Sequence, residues 1–279
     1  MVSTGTFVML ILGAVASCIL PVVIALIWKF TKKEKFTTIL LGAAVFLVFA
    51  LILEKPIQAL LISPTQLGLR STRLAGYLHL RPVLLAVVCG LFPGVFEETG
   101  RLVAFKTLLR KRRNRETAIS YGIGHGGFEV MMLLGMIYIQ NVMYAVMINT
   151  GAFDVMISRA EALQPGSGAT LYTLKMQLID ITAADVGLAM AERVFAVLFH
   201  IGASILVFYA CRDKGKFWLY PLAILLHTAM DFFAGLYSLG VLKISDLGVE
   251  VSLAVFGILV FGISYAVLYR KDRKSTDAA

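Results

Sequence analysis

The sequence predicts an all-α fold, a polytopic integral membrane bundle of about seven transmembrane helices. Three observations predict it. Of 279 residues, 59% are hydrophobic and only 15% are charged, which is not the surface composition of a soluble domain. The apolar residues gather into seven segments, at about 5–28, 36–53, 82–109, 117–149, 187–211, 217–237 and 249–269. At ~1.5 Å rise per residue, segments of this length match an apolar slab ~30 Å thick. Finally, 16 of the 26 Lys and Arg residues fall in four short runs, Lys29–Lys35, Arg110–Arg115, Arg212–Lys216 and Arg270–Lys274. The runs follow the first, third, fifth and seventh segments. That alternation is the positive-inside pattern; it puts the N-terminus outside and the C-terminus in the cytoplasm.

No polar stretch is long enough for a second folded domain, so residues 1–279 read as a single transmembrane domain. The helices that carry its candidate site lie at 82–149 and 187–237. The net charge of +9 does not point to nucleic acid, because the cations sit at helix ends where they face an anionic leaflet. The lipid bilayer is the expected partner. Cys18, Cys89 and Cys211 are odd in number and all lie in apolar segments, which argues against a disulfide framework.

The elements follow in order. The first span runs past Cys18 to Trp28 with no positive charge ahead of it, and reads as uncleaved. The second has 17 apolar residues before Glu54–Lys55, near the lower limit for a span. Residues 54–81 form an outer connection, with His79 at an interface and outside any chemistry. Pro82 suits the first turn of the third helix. Pro93, flanked by Gly90 and Gly94, predicts a kink or local opening beside Glu97–Glu98. The fourth helix carries four glycines between Gly122 and Gly127. Such a run weakens a helix and lets another backbone approach closely. Residues 150–186 are the longest outer connection; 153–163 and 170–179 could form helices around a Gln164–Gly168 break, as a surface hairpin, lid or substrate gate, and a plain interfacial loop is the equal alternative. The seventh span has no mid-span ionisable group and reads as packing.

Ionisable residues inside the spans are the informative feature. Glu97–Glu98, His125, His200 and His227 lie on four different helices, each 10 to 13 residues from a basic run. That spacing is about 15–20 Å, near the middle of the bilayer. Charged or titratable groups at that depth are costly and mark function. Arg101 is three residues from Glu98 and four from Glu97, so it neutralises one carboxylate and leaves the other to act. Burial disfavours an ionised carboxylate unless it is paired, which suits a general base working near neutral pH. The structural alternative is an ion pair that fixes helix packing. His125 shares a helix face with Glu129, Arg193 with His200, and His227 with Asp231. A carboxylate one turn from an imidazole fixes its tautomer. His125, His200 and His227 could form a three-histidine zinc site with Glu97 as base. A metal-free site is equally open, with Glu97 and one histidine activating water while another histidine and Asp231 bind the oxyanion.

The paired Glu followed by Arg101, then Tyr121 and His125, then His227 and Asp231, resembles the CAAX-protease and bacteriocin-processing superfamily of intramembrane proteases. Its PrsW-like branch is similar in the paired Glu, a glycine-rich segment with a Glu (here Gly122–Glu129), an Arg seven residues before a His (Arg193, His200) and a final His motif. The whole string is most similar to YhfC-type bacterial membrane proteins. It departs from the CAAX-type pattern in having only Thr99 and Gly100 between Glu98 and Arg101, Tyr121 for Phe, and Asp231 for Asn. The resemblance implies Glu97 as the catalytic base, His125 as its partner on water, and His227–Asp231 as a second catalytic pair. It leaves Glu98, Arg101, Glu129, Arg193 and His200 as supporting or ligand residues.

The expected function is intramembrane peptide-bond hydrolysis by a Glu-activated water, acting on a membrane-embedded or membrane-proximal peptide. The expected location is the bacterial cytoplasmic membrane. A proton-coupled transporter is the alternative, because intramembrane His, Glu and Asp relays also move protons. No inverted repeat supports it. A non-catalytic binding or immunity protein is the third reading.

Overall fold

The computed structural model describes residues 1–272, and they form helices and connecting turns with no strand among them. The helices are α1 Thr4–Lys32, α2 Phe36–Ile62, the short α3 Arg73–His79, α4 Pro82–Lys106 and α5 Glu116–Thr150. They continue with α6 Ala152–Leu163, α7 Ser167–Asp180, α8 Ala183–Arg212, α9 Leu219–Ser238 and α10 Asp246–Tyr269. All except α3, α6 and α7 are long and apolar enough to cross a membrane, which makes seven spans among the described residues. Helices satisfy their own backbone polar groups, which a span in lipid requires.

The helices pack as two compact units. One contains Met1–Val22 and Glu129–Arg193; the other contains Val23–Phe128 and the chain from Val194 onward. The first has its own core around Leu10, Tyr138, Ala145, Phe153, Leu178 and Val186. Gly13 lets the Tyr138 ring sit against α1, where a Cβ would lie 2.6 Å from that ring. The Tyr138 hydroxyl donates to the Val186 carbonyl at 3.0 Å. Of the two readings left open for the long connection, helices or a plain loop, the structure has helices, α6 and α7. Gly166, at φ +89°, makes the turn between them, and the Glu161 carboxylate accepts from the Gly166 and Gly168 amides at 2.9 and 3.0 Å.

The second unit is built on close approaches. Along α4, a Cβ on Gly90 would lie 2.7 Å from the Thr228 carbonyl oxygen of α9, and one on Gly94 would lie 2.9 Å from that of Ile224. The glycines of α5 act in the same way. A Cβ on Gly122 would lie 2.7 Å from the Ile201 Cα and one on Gly126 3.2 Å from the Val197 Cα, both of α8. On another face Gly124 abuts the Ile39 carbonyl of α2. Missing side chains let backbones pack where lipid supplies no hydrophobic drive between helices.

Two local expectations change. The second span does not stop at residue 53: α2 continues through Glu54–Lys55 to Ile62, with a π-helical stretch at Leu47–Glu54. The ion pair is accommodated because Glu54 is buried and accepts from the Lys55 ammonium at 3.0 Å. Pro93 does not open α4, which stays helical from Pro82 to Lys106. Its neighbours Gly90 and Gly94 serve contact with α9 instead. His79 is an anchor, with Nε2 lying 3.0 Å from the Ile62 carbonyl oxygen at the end of α2. The three cysteines are unpaired.

Candidate active site

Helix α4 supplies the centre of the site. Glu97, Glu98 and Arg101 lie within about one turn of helix, and all three are buried. The Arg101 guanidinium is fully enclosed. Its Nη1 donates to Glu98 Oε1, and its Nη2 lies 3.9 Å from Glu97 Oε2 and 2.6 Å from His200 Nδ1. A guanidinium has no acceptor, so His200 accepts at Nδ1 and that nitrogen carries no proton.

Three histidines converge on this centre from three other helices. His125 of α5 places Nε2 2.8 Å from Glu97 Oε2. His200 of α8 lies between the other two rings, with centroids 5.1 Å from His125 and 5.3 Å from His227. His227 of α9 places Nδ1 2.8 Å from Glu98 Oε1 and Nε2 3.4 Å from Asp231 Oδ2. Asp231 is the outermost member, with a third of its side chain accessible. Apolar rings enclose the imidazoles: Phe46 meets His125 edge-on at 5.1 Å, and Phe199 meets His227 at 5.1 Å. Tyr121, one turn before His125, is fully buried.

Several buried polar atoms here have no hydrogen-bond partner in the protein: Glu98 Oε2, His125 Nδ1, Tyr121 Oη and Thr228 Oγ1. Buried polar atoms ordinarily have partners.

Among the described residues, one group offers metal-ligand atoms that all lie within 4.8 Å of one another: Glu97, His125 and His200. This differs from the expected set of His125, His200 and His227. Glu97 takes the third place because His227 is turned to Glu98 and Asp231. Glu129 and Arg193 belong to the other unit, where Arg193 Nη1 lies 3.2 Å from Glu129 Oε1 and Nε bonds Glu192.

One pair near the site was not expected. Phe49 lies against Gly100, and Gln58 Nε2 donates to the Cys89 carbonyl at 3.4 Å, so α2 and α4 run antiparallel. Equal rise along both helices puts Glu54 about level with Gly94, roughly one turn from Glu97. Asp231 and His227 are electrostatic neighbours of Glu54, and Glu97 and Asp231 are neighbours of Lys55. Glu54 Oε2 is buried without a partner. The available signal was a charged pair at the end of an apolar run, which also reads as a helix boundary.

A family model described as YhfC intramembrane metalloprotease matches residues 16–253 of the chain. The Bacillus subtilis (strain 168) protein named "Uncharacterized membrane protein YhfC" is 26% identical over 259 residues, covering 93% of this chain and 95% of that one. No solved structure matches.

Proposed function

The chain belongs to the YhfC intramembrane metalloprotease family, and from that premise we propose that it hydrolyses peptide bonds within or at the membrane, at the Glu97–His125–His200 cluster. The observation that carries this reading is the approach of one carboxylate and two imidazoles, from three helices, to within 4.8 Å of one another. A carboxylate with two histidines is a donor set that catalytic zinc accepts while keeping a position for water. Glu97, His125 and His200 would hold the metal. A divalent metal supplies Lewis acidity there, making water nucleophilic near neutral pH and polarising a carbonyl.

The surrounding residues then have separable tasks. Arg101 Nη1 and His227 Nδ1 occupy Oε1 of Glu98, which leaves Oε2 as its open acceptor. Glu98 takes the proton of the attacking water at Oε2. His227, bonded on one side to Glu98 and facing Asp231 on the other, delivers a proton to the leaving amide nitrogen. Phe46 and Phe199 exclude bulk water from the imidazoles.

A second reading keeps Glu97 as the base without metal. It is favoured by the 2.8 Å contact between Glu97 Oε2 and His125 Nε2. It is also favoured by Arg101 Nη2, which engages a His200 lone pair that a metal would use. In either reading the substrate is a membrane-embedded or membrane-proximal peptide. The basic runs support a C-terminus on the cytoplasmic side, and the Bacillus subtilis relative supports a bacterial cytoplasmic membrane location.

Elemental analysis of the purified protein separates the two. The metal reading expects one divalent ion per chain, lost in Glu97→Gln, His125→Ala and His200→Ala and kept in His227→Ala. A metal-free wild type that still cleaves peptide, and stops cleaving as Glu97→Gln, establishes the second reading instead.

A further inference from the structure

The basic end of the second unit carries two neighbouring cavities, of about 290 and 710 Å³, which share Arg113 and Arg212. The smaller lies where α4 and α8 end. Lys106, Arg110, Arg112, Arg113 and Arg212 line it, and no carboxylate is among its lining residues. Phe105 and Phe208, whose rings meet edge to face at 5.4 Å, give it an apolar wall.

Lys106, Arg112 and Arg113 are held in place without being neutralised. Arg112 Nη2 donates to the Thr37 hydroxyl at 2.8 Å, and Nη1 bonds Thr38. Arg113 Nη2 donates to the Arg212 carbonyl at 2.9 Å, and Arg212 Nη1 donates back to the Arg113 carbonyl at 3.2 Å. The Lys106 ammonium sits 4.6 Å over the Phe217 ring. Hydroxyls, carbonyls and a ring fix these side chains but cancel no charge. Arg212 meets carboxylates, those of Asp213 and Asp272. Burial pushes the Asp213 carboxyl up, but its bonds to Arg212 and Lys216 hold it below the usual range, so it is ionised near neutral pH.

A positive-inside bias needs cations near helix ends; it does not need them gathered around one cavity. Four like charges, Lys106, Arg110, Arg112 and Arg113, share this space beside the paired Arg212 and repel, and a bound anion relieves that repulsion. Guanidinium forks match phosphate oxygens in pairs. At the level where apolar helices end, the abundant anion is a lipid phosphodiester, and basic pockets between spans take such headgroups. The Phe105–Phe208 wall suits the glycerol and first methylenes of a lipid rather than a free ion. We infer that this cavity binds the phosphodiester headgroup of an anionic phospholipid. The inference is independent of the proposed chemistry.

The test is native mass spectrometry of the full-length protein after exchange into an equal mixture of phosphatidylglycerol and phosphatidylcholine. Wild type is expected to retain phosphatidylglycerol preferentially. Lys106→Gln combined with Arg110→Gln is expected to lower that preference on the order of tenfold, since each cation near an anionic surface contributes a severalfold factor. Arg270→Gln combined with Lys271→Gln, in another basic run, is expected to leave it unchanged. Equal retention of the two lipids by wild type overturns the inference, and that arm needs no substitution to fold. So does an equal fall in both double variants. Displacement of phosphatidylglycerol by millimolar inorganic phosphate would assign the cavity to a soluble phosphate and overturn the lipid assignment.

Discussion

His227 Nδ1 lies 2.8 Å from Glu98 Oε1, which joins α9 to α4 at the centre of the buried cluster. The same Glu98 oxygen receives Arg101 Nη1, so one carboxylate atom is fixed by two side chains while the other has no protein partner. In the proposed metal reading, Glu98 and His227 handle protons while Glu97, His125 and His200 hold the ion. His227→Ala is expected to lower peptide cleavage by about 10²–10⁴-fold, the range of a lost acid–base group, while bound metal stays at the wild-type level. Parallel loss of metal and activity would place His227 among the ligands.

Arg101 is the buried cation beside this carboxylate pair, bonded to Glu98 and 3.9 Å from Glu97. Removing one partner of a buried ion pair leaves an uncompensated charge. Arg101→Gln is expected to destabilise the fold by about 3–5 kcal/mol, read as a lower thermal midpoint in detergent. Arg101→Lys should recover little of this, because an ammonium cannot bridge Glu98 and His200 as the guanidinium does. A Lys variant with wild-type stability would show that charge alone matters there.

Helix contact through glycine gives an independent check of the packing. Gly124 abuts the Ile39 carbonyl, whereas a Cβ on Gly262 would meet nothing within 4 Å. Gly124→Ala is expected to cost about 1–3 kcal/mol through overpacking. Gly262→Ala should be neutral, or stabilise by up to about 1 kcal/mol through helix propensity. Equal thermal midpoints for the two variants would contradict the α2–α5 contact.

The α6–α7 turn should respond to acid. Its Gly166 and Gly168 amides donate to Glu161 and hold that carboxyl below its usual value of 4.5. A lowered folded-state value means that the stabilisation is fully present above the unfolded value. It is lost as pH falls through the folded one. Wild type should therefore protect the turn from proteolysis near neutral pH and lose that protection in acid. Glu161→Gln should show weaker protection and little pH dependence. Identical profiles for the two proteins would remove Glu161 from the turn's stability.

Much of the architecture was legible in the chain. The seven apolar runs mark the seven spans, because a bilayer sets both their length and their composition. Equal distances from the basic runs placed Glu97, Glu98, His125, His200 and His227 at one depth, and the structure brings them together. Depth does not fix rotation, however. That Glu97 joins His125 and His200 while His227 turns to Glu98 depends on side-chain direction across four helices. Glu54–Lys55 departs from its sequence pattern for a different reason. A charged pair usually ends a span, but here the two charges bond each other and the helix continues to Ile62. Arg193 and Glu129 share the spacing of the site residues, yet they pair within the other unit.

The proposed hydrolysis requires Glu97, within this buried cluster. The most direct test compares the N-termini of membrane peptides from cells carrying wild type or Glu97→Gln at matched protein levels. New termini are expected with wild type and missing with Glu97→Gln. Identical termini, with both proteins folded and abundant, would contradict this requirement.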